Sequence, residues 1–255
     1  MSINTEEPIK SIFDLLDQWR GLPNYQMERR VDIYFALYLH EIIMAYFKDE
    51  LKGEKITHVN IIPEFPLKKD GNRQSLKVDY AVFSKNKLFL VELKTDVNSL
   101  NDVQYGNLII AKSKSLYDFV SIIPDIAIGS DQRKKYMYLI KCIKELLSLV
   151  YEINIESETN VCDDSKKALD CLCEEFKAKE SQFSERRVDV EIVYILPENA
   201  DNDDKVKKYG IGEDAHIITF EKIRSYISAL SNLDAYGKRF VESLERWKKE
   251  PHSPM

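Results

Sequence analysis

A mixed α/β fold, one central sheet flanked by helices, is the architecture this sequence predicts, and three observations predict it. The apolar pattern switches from helical spacing to strand-like runs near residue 57 and returns to helical spacing near 99. A further apolar run, Val188 to Leu196, reads as a buried strand far along the chain. Helical segments precede, separate and follow these strands, an order that suits a mixed sheet.

The elements follow in order. Ile9, Ile12, Phe13, Leu15, Leu16 and Trp19 give an amphipathic helix over 9–20, broken by Gly21-Leu22-Pro23-Asn24. A long helix is predicted from Tyr25 to Leu51, apolar through its middle, buried on most sides and ended by Gly53. Thr57–Phe65, Leu76–Phe83 and Lys87–Lys94 read as strands, with Ser84-Lys85-Asn86-Lys87 as the turn between the last two. Residues 99–119, 131–151 and 164–180 read as helical. Pro197 closes the strand at 188–196, Asn199–Asp204 is an acidic loop, His216–Phe220 a short strand, and 221–249 two helices. The expectation is one domain over 1–255: a core of about 25–120 and 188–220, a helical insertion of about 121–187, and C-terminal helices at 221–249.

Composition narrows the function classes. At 255 residues with 44% hydrophobic and 31% charged side chains, the chain is of globular type. Its most apolar run, Ile33 to Phe47, is interrupted by Tyr38, His40 and Glu41, so no membrane span is expected. The opening MSINTEEPIK has neither the basic nor the apolar part of a secretion signal, and a cytoplasmic protein is expected. A net charge of -6 argues against a protein that coats nucleic acid over its whole surface, not against one that binds it locally. Cys142, Cys162, Cys171 and Cys173 lack zinc-ligand spacing and are expected as reduced thiols.

The chemistry lies in the hairpin. If the strands turn at Lys85-Asn86, paired residues have numbers summing to about 171, so Phe83 faces Leu88 and Asp79 faces Glu92. Glu92 and Lys94 share a face by alternation, and Asp79 joins them there with Cβ atoms about 5 Å apart. Opposed carboxylates repel, and a hard cation such as Mg²⁺ or Mn²⁺ between them relieves this. Leu88-Phe89-Leu90-Val91 is apolar on both faces, so the charges at its end need partners. Glu64, within Ile61-Ile62-Pro63-Glu64-Phe65-Pro66, is a third acid on the preceding strand. A metal held by Asp79, Glu92 and the Leu93 carbonyl, with Lys94 beside the attacking water, fits phosphodiester hydrolysis. No nucleophile-elbow motif points to serine or cysteine catalysis.

Glu64, Val78-Asp79-Tyr80 and Val91-Glu92-Leu93-Lys94 together resemble the PD-(D/E)xK nuclease superfamily, over roughly 25–120 plus the strand at 188–196. The resemblance implies a restriction-endonuclease-like core. It implies Asp79 and Glu92 as metal ligands, Lys94 as the catalytic lysine, Glu64 as an accessory acid, and a glutamate from the first core helix. Glu28 is the candidate for that last position and Glu41 its rival. RecB-like members carry a glutamine on the helix after the lysine strand; Gln104 matches, while Leu108 stands where a tyrosine is expected. No cysteine precedes the core, so no iron–sulfur cluster is expected. The implied function is Mg²⁺- or Mn²⁺-dependent hydrolysis of nucleic acid, DNA in preference to RNA, in a defence or mobile-element setting. Specificity would come from the insertion, a partner protein or a homodimer. The competing expectation is a catalytically inactive nuclease-fold protein that serves as a nucleic-acid-binding or protein-interaction subunit.

Other charged groups have plainer readings. His40 and Glu41 satisfy each other, Glu28 and Asp32 at i,i+4 fit a polar helix face with Arg29 or Arg30, and Lys112-Ser113-Lys114 and Arg133-Lys134-Lys135 are helix surface. Lys68, Lys69, Arg73 and Lys77 surround the expected site, either as phosphate contacts or as a solvated loop.

Overall fold

The computed structural model describes residues 6–22, 25–68, 75–157, 166–197 and 204–248. Among these the chain is α/β, with a five-stranded mixed sheet and flanking helices. The N-terminal helices are α1 (Glu6–Trp19) and α2 (Glu28–Tyr46). Strands β1 (Ile61–Lys68), β2 (Ser75–Phe83) and β3 (Lys87–Leu93) follow. Helices α3 (Asp102–Lys112), α4 (Leu116–Ile128), α5 (Arg133–Tyr151), α6 (Lys166–Ala178) and α7 (Glu180–Ser184) come next. Strand β4 (Asp189–Leu196), α8 (Asp204–Tyr209), β5 (His216–Thr219), α9 (Phe220–Ser228) and α10 (Ala235–Trp247) complete the chain.

The strand order is β1-β2-β3-β4-β5. β1 and β3 run antiparallel to β2, and β4 is parallel to β5. Asp189 N–H donates to the Asn86 carbonyl and Lys94 N–H to that of Ile195, so β3 and β4 also run the same way. A parallel pair needs a long crossover, and here α3 to α7 supply it. The β2–β3 ladder pairs Phe83 with Leu88 and Tyr80 with Val91, the register expected from the hairpin.

Two compact units emerge, each from separate stretches of chain. The first comprises residues 1–53, 92–101 and 193–255; the second comprises 54–91 and 102–192. In the first unit Phe13 is enclosed by the rings of Tyr34, Tyr236, Phe240 and Trp247. Asp17 fastens α1 to α10, accepting hydrogen bonds from Arg239, Arg246 and the Trp247 indole. In the second unit Phe65, Phe83 and Phe119 meet edge to face or tilted, and the Tyr151 hydroxyl donates to the Ser84 carbonyl at 2.7 Å.

Three expectations are revised. The helix foreseen at 25–51 is α2, shorter and buried along one stripe, Val31, Phe35, Leu39, Ile42 and Ile43. Ile33 on its other side is 60% exposed, because apolar letters all round a helix do not fix which of them find a partner. The helical run at 99–119 is two helices. Ser115 starts the second: its hydroxyl accepts from Asp118 N–H, and the Asp118 carboxylate accepts from Ser115 N–H, a reciprocal cap. The strand expected from Thr57 begins at Ile61, since His58–Asn60 form a 3-10 turn in which the Asn60 carboxamide accepts from Thr57 N–H. The loop at 199–203, Lys69, Arg73 and Cys162 lie outside the described residues.

Cys142, Cys171 and Cys173 are free thiols. Burial, reinforced by Asp125 and Asp170, pushes Cys173 up to about 11, whereas Cys142 and Cys171 are exposed. The thiolate is the reactive form. A thiol reagent at neutral pH is therefore expected to label Cys142 and Cys171 first, with Cys173 slower by about two orders of magnitude, read by peptide mass mapping. Labelling of Cys173 at the same rate would show that its burial is absent in solution.

Candidate active site

The end of β3 places a charged cluster where the surrounding sequence is apolar. Leu88, Phe89, Leu90 and Val91 are all fully buried, and Glu92 continues that strand with 0% exposure. Leu93 ends the strand, and Lys94 follows with its N–H bonded to Ile195 at 2.9 Å. That bond extends the sheet pairing one residue past β3, so the backbone under Lys94 is held by β4. Alternation then puts the Glu92 and Lys94 side chains on one face. Lys94 Nζ lies 3.2 Å from Glu92 Oε2 and 3.4 Å from Glu28 Oε1. The Lys94 side chain is 7% exposed.

Glu28 arrives from the first turn of α2, where a carboxylate is favoured by the positive end of the helix dipole. The three groups carry a formal charge of -1, two carboxylates against one ammonium. Glu41, the rival on the same helix, is turned elsewhere: its carboxylate lies 2.8 Å from Nδ1 of its neighbour His40.

The other expected residues belong to the second unit. Asp79 is half-buried on β2 between the buried Val78 and Tyr80. It precedes Tyr80, whose ladder partner on β3 is Val91. Glu64 stands opposite Asp79 in the β1–β2 register, between the pairs Pro63–Tyr80 and Phe65–Val78, but makes no ladder pair itself. Its backbone is left-handed, φ 50°, and its exposed carboxylate forms an ion pair with Lys77 at 3.0 Å. That partner was not anticipated for Glu64; it follows from the break in β1, which lifts the side chain to the surface. Gln104 is half-buried in α3, and Leu108, one turn on, is fully buried. The position where the RecB-like pattern has a tyrosine is thus filled here by a core leucine.

Within the first unit the carboxylates of Glu92 and Glu28 and the Leu93 carbonyl are hard oxygen donors, which match the preference of Mg²⁺ and Mn²⁺ in kind; Asp79, in the second unit, is a donor of the same type. Among the described residues no three His, Cys, Asp or Glu side chains gather as a ready-made metal cage. The contribution of Ile195 escaped the sequence reading. The strand at 188–196 was legible, but not its neighbour in the sheet. Among the described residues no helix is long and apolar enough to cross a membrane. No family model, curated protein or solved structure matches this chain.

Proposed function

We propose that this protein is a divalent-metal-dependent phosphodiesterase of restriction-endonuclease-like architecture that acts on nucleic acid, on DNA in preference to RNA. One observation carries the reading: the fully buried Glu92 held 3.2 Å from the buried Lys94. Removing both charges from water costs several kcal/mol per ion, by rough estimates, and well-packed apolar residues stabilise such a position as well or better. A chain that keeps charges at the end of an apolar strand is using them, and clustered buried ionisable groups are a mark of functional sites.

In this reading Glu92 and the Leu93 carbonyl would hold the metal, with Asp79 as the further ligand that the resemblance implies, and Glu28 and Glu92 hold the Lys94 ammonium in place. A bound Mg²⁺ or Mn²⁺ supplies Lewis-acid activation of the phosphodiester and lowers the pKa of its water. Lys94 donates to the attacking water or to the negative charge that develops on phosphorus-bound oxygen, and its burial strengthens that interaction. Gln104 positions substrate or water from α3. Glu64, whose exposed carboxylate pairs with Lys77, is the accessory acid and further metal ligand that the resemblance implies.

The test is incubation with supercoiled and linear DNA in Mg²⁺, Mn²⁺ or EDTA. Cleavage is expected with either metal and none with EDTA. Lys94→Gln should lower the rate by about 10²- to 10³-fold, the usual loss for one such donor, and Asp79→Asn should do likewise. Absence of metal-dependent cutting, or a Lys94→Gln variant as fast as the parent, rules the reading out. DNA binding without cutting identifies the inactive, binding-only descendant instead.

A further inference from the structure

Helix α5 buries Met137, Ile140, Ile143, Leu146, Leu147 and Tyr151 and turns its opposite face to solvent. Lys134, Lys135, Tyr138 and Lys141 lie on that open face at spacings of three and four residues, which makes them surface neighbours. Tyr138, at 56%, is the most exposed aromatic side chain among the described residues. The three lysines make no ion pair with any described residue. The nearest acid further along this face, Glu145, comes one turn beyond Lys141. In a chain of net charge -6 this is a local concentration of three positive charges around one open ring.

A ring of this kind, with an apolar face and cations on both sides, has a specific complement. Lysines take phosphates, and an exposed aromatic ring takes the face of an unpaired base, which a duplex keeps stacked inside. We propose that the Lys134–Lys135–Tyr138–Lys141 face of α5 binds single-stranded nucleic acid, with phosphates on the lysines and one base stacked on Tyr138. This deepens the phosphodiesterase reading, on which it rests for the choice of nucleic acid as partner. It also assigns the helical crossover a substrate-holding task that neither Glu92 nor Lys94 performs.

The experiment measures binding of a fluorescein-labelled oligothymidylate to the full chain by anisotropy, in EDTA so that cleavage plays no part, across a salt series. Lys134→Gln/Lys135→Gln/Lys141→Gln should weaken binding and flatten the slope of log affinity against log salt by about 2, at ~0.7 per phosphate contact on a single strand. Tyr138→Ala should weaken binding roughly 10-fold with the slope unchanged, and Tyr138→Phe should bind as the parent does. Circular dichroism of each variant checks that the fold is intact. A triple variant that binds like the parent, or a parent that does not bind, overturns the proposal. So does a Tyr138→Ala variant that loses nothing, which would leave only a polyanion patch of the kind heparin also finds. The two readings fail separately. A parent that binds but never cuts removes the phosphodiesterase and leaves this surface. One that cuts while the triple variant binds normally removes the surface alone.

Discussion

Lys94→Met is expected to lower the stability of the protein by about 3–5 kcal/mol at neutral pH, the range for removing one member of a buried ion pair. The substitution keeps most of the volume of the side chain but deletes the ammonium 3.2 Å from Glu92, a carboxylate with 0% exposure. What the variant loses is therefore electrostatic compensation, not volume. Glu92→Leu combined with Lys94→Met should recover most of that loss, because the pair is then replaced by apolar groups on an apolar strand. Urea unfolding of parent, single and double variants gives the coupling directly. A double variant as unstable as the single would mean that Lys94 stabilises this region through something other than Glu92. Cleavage is lost in both variants on the proposed mechanism, so stability and activity part company in the double variant. That separation is the signature of charges kept for chemistry.

Phe13→Ala is the second large effect, an expected loss of about 3–5 kcal/mol in the same unfolding experiment. Phe13 is fully buried, with the rings of Tyr34 at 5.0 Å, Tyr236 at 5.5 Å, and Phe240 and Trp247 at 6.2 Å. The Arg239 guanidinium lies 5.7 Å from its centroid. Truncation leaves a cavity bounded by rigid rings that cannot collapse into it, which places the cost toward the upper end. Ile12→Ala, one residue earlier but 46% exposed, should change stability by no more than about 0.5 kcal/mol. Equal losses at the two positions would show that α1 does not dock through the Phe13 face.

How far these features could be read from sequence depends on how local their causes are. The β2–β3 register was legible because the turn at Ser84–Lys87 and two strands of defined period leave one pairing that buries Leu88 to Val91. The burial of Glu92 followed from its apolar neighbours. The meeting of Glu28 with Lys94 was not fixed in the same way: it depends on where the first turn of α2 lies against a strand far along the chain. The family resemblance offered Glu28 as the candidate and Glu41 as its rival on the same helix. The helical break at Ser113–Ser115 had a local signal, the Ser115–Asp118 spacing, which apolar periodicity on either side obscured. Glu64 is the reverse case. Proline at 63 and 66 is plain in the sequence, yet nothing in the letters specifies a left-handed backbone at Glu64.

That kink in β1 has a consequence for how copies of this protein meet. β1 and β5 are the outermost strands, and an open strand edge is a template on which another chain can pair. Pro63 and Pro66 have no N–H to offer, and Glu64 turns the backbone out of the extended conformation between them. At the far side β5 is only four residues long. Both borders of the sheet are therefore poor surfaces for strand addition.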